Sequence, residues 1–300
     1  MKILLIGCGY AGKRHAINIQ EIGHSVSVYD TDPEVMAWTV QNKFEWVENL
    51  KGKYDGAVIA TPPEFHMQNY DEIFEIMGKG KILIEKPLAL TTDRPKKWKL
   101  EDLRETNIMM AHNYLFSPEL WKFKREMIAP LRADRRWEYV SADYLPHWHG
   151  PDFANEYEDR HEARDGCMAI SVSHAIYILD YLFGMPDREE YYKDNYSVIK
   201  TRGDNAVTGV RINKNSNVIL IESWAAKGER QHYLKEIGAR MGFNWINHTD
   251  DILASYKVMM KCFLDVVEGA RDIPELCQLS EGIRIVKAIE DSQYLINEYE

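Results

Sequence analysis

Three side chains in this sequence of 300 residues have types and places that could do chemistry: Lys86 within Glu85-Lys86-Pro87 and His174 within an almost wholly apolar stretch over 168–183 as acid–base groups, and Asp30 just after Ser25–Tyr29 as a hydrogen-bond acceptor. An amine or imidazole in hydrogen-bond reach of a hydroxyl can take its proton as the carbon is oxidised and return it in the reverse direction. Each has a plainer alternative: Lys86 as a solvated lysine among 37 basic residues, His174 as a satisfied core histidine. A fourth feature, Gly7-Cys8-Gly9-Tyr10-Ala11-Gly12, offers backbone N–H groups, which hold phosphates where such a turn opens a helix.

The elements that must position these groups can be read from the pattern around them. Four apolar residues, Ile3 to Ile6, run straight into the glycine turn, and an amphipathic stretch from Lys13 to Ile22 follows, closed by Gly23. That order is strand, turn, helix. The first glycine permits the turn, the second lets a pyrophosphate approach the backbone, and the third lets helix and strand pack closely. A second strand, Ser25 to Tyr29, ends on Asp30, whose carboxylate can accept hydrogen bonds from ribose hydroxyls and repel a 2′-phosphate. The expected cofactor is therefore NAD rather than NADP, held by Gly7, Gly9, Tyr10, Ala11, Gly12 and Asp30.

Further strands follow at Phe44–Val47, Ala57–Ala60, Lys81–Ile84 and Ile108–Ala111, with helices after Asp32-Pro33 and after Pro62-Pro63. In a doubly wound sheet, ligands bind beyond the carboxyl ends of the strands. Thr61 with Pro62, and Glu85 with Lys86, occupy such ends and should share a crevice with the glycine turn and Asp30.

Beyond residue 115 the pattern changes. A helix from Pro118 to Met127 precedes segments of period-two alternation at 137–144, 206–212, 218–223, 231–237 and 243–247, which argue an antiparallel sheet. An apolar helix over about 166–183 and a closing helical pair, about 251–270 and 279–298, complete the reading. The fold class is α/β: a Rossmann doubly wound parallel sheet over 1–115, then an α+β domain over 116–300 built on an open, mostly antiparallel sheet that supplies the substrate wall.

Composition narrows the function classes. There are 47 acidic against 37 basic residues, a net charge of −10, and no long basic run, which argues against binding of nucleic acid or an anionic membrane. No segment reaches the ~20 apolar residues of a membrane span, so a cytoplasmic protein is expected. Cys8, Cys167, Cys262 and Cys277 are far apart and form no C-x-x-C pair, so neither a disulfide framework nor structural zinc is indicated.

Four motifs then fall in register: Gly7-x-Gly9-x-x-Gly12-x-x-His15, Ala60-Thr61-Pro62-Pro63-x-x-His66, Glu85-Lys86-Pro87-Leu88-Ala89, and His174 in its helix. Together they resemble the glucose-fructose oxidoreductase and inositol dehydrogenase (Gfo/Idh/MocA) family over nearly the whole chain. The resemblance implies a metal-free NAD(P)-dependent oxidoreductase of sugars, cyclitols or related polyols, forming a homo-oligomer through the open sheet. It implies Lys86 as the acid–base group, His174 as a second one, and His66 among the cofactor-binding residues. Tyr144-Leu145-Pro146-x-Trp148-His149, with Asn113-x-x-Phe116-x-Pro118, is similar to a subgroup of surface-polysaccharide and nonulosonic-acid sugar pathways, so a sugar nucleotide is a candidate substrate. Asn113, Trp148, His149, Arg160 and Tyr177 are the candidates for substrate contact.

The chain also departs from the family. The aspartate expected one helical turn before the histidine is replaced by Ile170 and Ser171, the acid often found three residues after it is Tyr177, and Leu115 stands where arginine is common. Either Ser171 or Tyr177 serves as a weaker partner for His174, or His174 only binds substrate and Lys86 works alone. A family member that binds NAD or a sugar as a sensor without turnover is the alternative these losses keep open. His147-x-His149 with Asp152, Glu156 and His161 has metal-ligand residue types, but its aromatic neighbours suit sugar stacking better, and no metal is expected. Arg160 and Arg164 can hold an anionic group such as a diphosphate or pair with Glu156, Glu158 or Asp159.

Overall fold

The computed structural model describes residues 1–78, 80–89, 107–128, 137–142, 173–183, 197–200, 206–212, 218–223, 231–236, 242–244 and 249–287. They divide into two units, the first comprising Met1–Ala89, Asp93–Phe116 and Leu253–Arg284, the second Leu90–Thr92, Ser117–Ile252 and Ile285–Glu300.

The first unit opens with β1 (Lys2–Ile6), α1 (Tyr10–Glu21), β2 (Ser25–Tyr29), α2 (Pro33–Gln41), β3 (Glu45–Trp46), β4 (Gly56–Ile59), α3 (Pro63–Met77), β5 (Lys81–Ile84) and β6 (Ile108–Met110). The strands form one sheet in the order β3-β2-β1-β4-β5-β6, and every neighbouring pair is parallel. A parallel sheet covered on both faces needs strands that are apolar throughout rather than alternating. Ile3–Leu5, Ala57–Ile59 and Ile82–Ile84 meet that need and are fully buried. The order reverses beside β1, between β2 and β4, so the crevice of this sheet lies at the carboxyl end of β1.

Local sequence sets the helix starts. Asp32 caps α2 by accepting a hydrogen bond from the Glu34 N–H, and Pro33 takes the first helical position, where a missing N–H costs nothing. The helix α1 begins without any side-chain cap.

The second unit contains α4 (Pro118–Phe123), β7 (Trp137–Ala142), α5 (Ser173–Phe183), β8 (Ser197–Lys200), β9 (Ala206–Ile212), β10 (Val218–Ser223), β11 (Gln231–Glu236) and β12 (Gly242–Asn244). Its sheet runs β12-β11-β7-β10-β9-β8. Only β7 and β10 pair in parallel; the other neighbours are antiparallel, as the alternating segments predict. The strand β8 was not anticipated, because four residues inside a charged, tyrosine-rich stretch give too short an alternation to read.

The closing segments differ from expectation in their partner. The helix α6 (Thr249–Val267) enters the first unit at Leu253, and the chain up to Arg284 stays there, although the sequence reading gave all of 116–300 to the second domain. Met259, Phe263 and Leu264 are buried, Gln278 forms an antiparallel bridge with Met109, and His112 Nδ1 donates to the Leu276 carbonyl over 2.7 Å. This return covers the flank of β6, which local patterning cannot reveal. Among the described residues no helix is long and apolar enough to cross a membrane.

Candidate active site

The site of the first unit is built at the carboxyl ends of four strands. Gly7, directly after β1, has φ +83°, and a Cβ there would lie 2.6 Å from the Thr61 nitrogen. A Cβ on Gly12 would lie 2.2 Å from the Gly7 carbonyl oxygen. These two positions must be glycine for the turn to form and for α1 to pack against it. A Cβ on Gly9 would meet nothing within 4 Å, so the space beside the uncapped start of α1 is open. An uncapped helix start with clear approach to its backbone fits a dinucleotide pyrophosphate, the group that the N–H donors and helix dipole favour.

Asp30 does more than end β2. Its Oδ2 accepts the Cys8 N–H at 2.6 Å and its Oδ1 accepts the Asp32 N–H at 2.9 Å, so the carboxylate ties the glycine turn to the start of the next loop. Each oxygen keeps lone-pair capacity for a ribose hydroxyl. Burial, with the Asp30 charge adding to it, pushes the Cys8 thiol up to about 12, so Cys8 stays a protonated small side chain.

After β4, Thr61 Oγ1 donates to Asn69 Oδ1 at 2.8 Å. The His66 ring is fully buried, with Nδ1 2.9 Å from the Pro87 carbonyl and Nε2 2.7 Å from the Thr61 carbonyl. Burial pushes this imidazole below its ordinary range, and a neutral ring donates to only one of the two oxygens. His66 was expected to contact cofactor; its side chain instead joins the loops that follow β4 and β5, with both nitrogens used internally.

Beyond β5, the Glu85 carboxylate is also buried rather than presented to the crevice. Oε1 lies 2.7 Å from His15 Nε2, and Oε2 accepts the Lys86 N–H at 3.2 Å. Burial pushes this carboxyl up, but the His15 hydrogen bond and the charges of His15, Lys86 and His66 outweigh it, and the group sits below the usual carboxylate range. Lys86 is half-buried, and its peptide bond to Pro87 is cis.

Three residues not singled out from sequence complete this cluster. Tyr256 on α6 is buried with its ring 5.5 Å from that of His15, and burial holds its phenol well above the ordinary value. The Arg14 guanidinium stacks 4.0 Å from the Tyr10 ring centroid, and it donates to the Tyr10 hydroxyl. His112 is buried at the end of β6, and burial pushes its imidazole down to about 4, with the Arg284 charge adding to the shift. Only the return of 253–284 brings Tyr256 and Arg284 here, so no local signal could have found them. Asn113 is buried as well, its Nδ2 donating to Ser255 Oγ at 3.4 Å.

In the second unit, α5 carries His174 and Tyr177 on one face, three residues apart. His174 Nδ1 and the Tyr177 hydroxyl are 2.5 Å apart, and the rings meet edge-on with centroids separated by 5.5 Å. Of the partners weighed for His174, Tyr177 makes the bond; Ser171 lies outside the described residues. Trp148, His149 and Arg160 lie outside them too, as does the His147–His161 group. Among the described residues no group of three or more metal-ligating side chains is present.

Residues 1–111 match a family described as the oxidoreductase family with an NAD-binding Rossmann fold, Gfo/Idh/MocA. The match covers the N-terminal region alone, which is similar to the NAD-binding domain of that oxidoreductase family. Over nearly its whole length the chain also has the fold of known dehydrogenases. A scyllo-inositol dehydrogenase from Lactobacillus casei superposes with TM-score 0.75 at 15% identity, covering 97% of this chain and 94% of that one. The WlbA (WbpB) dehydrogenase from Thermus thermophilus, in complex with NAD and UDP-GlcNAcA, superposes with TM-score 0.68 at 14% identity, covering 96% and 93%. A formate-dependent phosphoribosylglycinamide formyltransferase from Flavobacterium psychrophilum is 36% identical over 74 residues, which are 24% of this chain and 19% of that protein.

Proposed function

We propose that this protein is a dehydrogenase that moves a hydride between NAD and a secondary alcohol or ketone on a sugar, sugar nucleotide or cyclitol. The observation that carries this reading is the assembly at the strand ends: the open, uncapped start of α1, the Asp30 carboxylate tied to the glycine turn, and Lys86 at the end of β5. The bound nicotinamide supplies the hydride acceptor or donor. Gly7, Gly9 and Gly12 keep the backbone close to the pyrophosphate, and Asp30 receives the ribose hydroxyls and disfavours a 2′-phosphate. The Lys86 amine takes the hydroxyl proton during oxidation and returns it during reduction. His15 and Glu85 hold the strand end that carries it. His174 is proposed as a second group acting on the substrate, with Trp148, His149, Arg160, Asn113 and Tyr177 as the proposed substrate contacts.

The sugar-nucleotide branch of this reading is supported by the structural likeness to a protein crystallised with NAD and UDP-GlcNAcA. The test is a panel of inositols, free sugars and UDP-sugars with NAD and, separately, their keto forms with NADH, read at the NADH absorbance band. A substrate-dependent change that Lys86→Ala abolishes supports the proposal. NADH binding without turnover on any member of the panel supports the sensor reading instead.

A further inference from the structure

We propose that Tyr177 is a positioning residue that sets the tautomer of His174, so that the ring carries its single proton on Nε2 and works as a hydrogen-bond donor. This rests on the dehydrogenase reading for its chemical use, but not for its geometry.

His174 Nδ1 faces the Tyr177 hydroxyl at 2.5 Å, within one turn of α5, and Tyr177 is 1% exposed. A neutral imidazole has one N–H donor and one lone-pair nitrogen, and the bond made by one nitrogen decides which form the other takes. A carboxylate at this place could only accept, so it would draw the proton to Nδ1 and leave Nε2 a base. A phenol can donate. Its O–H is a better acid than a neutral imidazole N–H, and the imidazole lone pair is a better base than a phenol oxygen. The favoured polarity of the neutral pair is therefore O–H donating to Nδ1, which leaves the proton on Nε2.

The consequence is a division of labour. A ring with its proton on Nε2 can hold a carbonyl or alkoxide oxygen by donation, but it cannot take a hydroxyl proton at that atom. That form of His174 is suited to orienting a substrate oxygen and stabilising charge on it rather than to accepting a hydroxyl proton, the role the dehydrogenase reading gives to Lys86.

The experiment is a long-range proton–nitrogen correlation spectrum of the ¹⁵N-histidine-labelled full chain at neutral pH, without substrate, with His174 assigned by its loss in His174→Gln. The expected result is a protonated-type shift at Nε2 and an unprotonated-type shift at Nδ1. Tyr177→Phe should move both nitrogens toward tautomer-averaged values, and Tyr177→Asp should exchange the two shifts. A proton on Nδ1 in the unaltered protein overturns the proposal, as does a Tyr177→Phe spectrum identical to it. The unaltered protein alone decides the first point even if a variant fails to fold. Substrate-dependent turnover of NADH on the same samples tests the dehydrogenase reading separately, since the tautomer is read with neither cofactor nor substrate.

Discussion

His15 and Glu85 are 70 positions apart and share a buried hydrogen bond of 2.7 Å, which links the first helix after the glycine turn to the residue before Lys86. The pair joins the helix that follows the glycine turn to the strand end that carries Lys86. Removing one member leaves a buried carboxylate without its main partner, so His15→Leu should cost about 3 kcal/mol in stability by urea denaturation. Adding Glu85→Gln to that variant removes the uncompensated charge and should return part of the loss. A double variant less stable than His15→Leu alone would show that the pair is not coupled in this way.

Gly12→Ala places a methyl group 2.2 Å from the Gly7 carbonyl, which is backbone and cannot swing aside. The helix must then move off the turn, at roughly 1–3 kcal/mol of overpacking. Fluorescence titration with NADH should show affinity reduced by about tenfold or more, since 1.4 kcal/mol is one decade in binding. Unchanged affinity would argue against pyrophosphate binding at this turn.

Asp30→Ala tests the proposed ribose contact, since it removes both the carboxylate acceptor and its negative charge. NADH affinity should fall by about tenfold while NADPH affinity falls less, so that the NADH-to-NADPH ratio drops. Because Asp30 also holds the Cys8 and Asp32 N–H groups, Asp30→Asn is the gentler control: one of those bonds survives while the charge is gone. Equal loss for both cofactors in both variants would mean that Asp30 acts only as a brace for the turn.

Acid should loosen the first unit through His112. Burial pushes this ring from 6.5 down to about 4, so between those values the unfolded chain takes up a proton that the folded chain refuses. Its contribution is therefore complete above pH 6.5 and is lost as pH falls toward 4, a change of roughly 3 kcal/mol. His66, also pushed down by burial, and Glu85, held below the carboxylate range, act with the same sign at their own lower limits. Thermal unfolding followed from pH 7.5 to 4.5 should show a falling midpoint. His112→Asn keeps an N–H for the Leu276 carbonyl and should flatten that slope.

What could be read from sequence follows from the range of the interactions. The strands of the first sheet, the glycine turn and Asp30 depend on neighbours within a few positions, and each lies where local pattern puts it. The His174–Tyr177 bond is also local, three residues along one helix, and it was among the partners weighed. Glu85 was placed at the end of its strand, but the burial of the Glu85 and His66 side chains depends on His15, Thr61 and Pro87, which lie outside their own elements. Tyr256, Ser255 and Arg284 could not be anticipated. Their arrival depends on a segment more than 130 residues beyond β6, and periodicity carries no information about which sheet a helix returns to.

That return also sets an order of events during synthesis. When the ribosome has released only the first 116 residues, every segment of the parallel sheet has been synthesised, but Tyr256, Phe263 and Leu276, which pack in the same unit, have not. The first unit therefore cannot be completed until Arg284 has left the exit tunnel. The antiparallel half, encoded in between, therefore emerges before the half that precedes it can be finished.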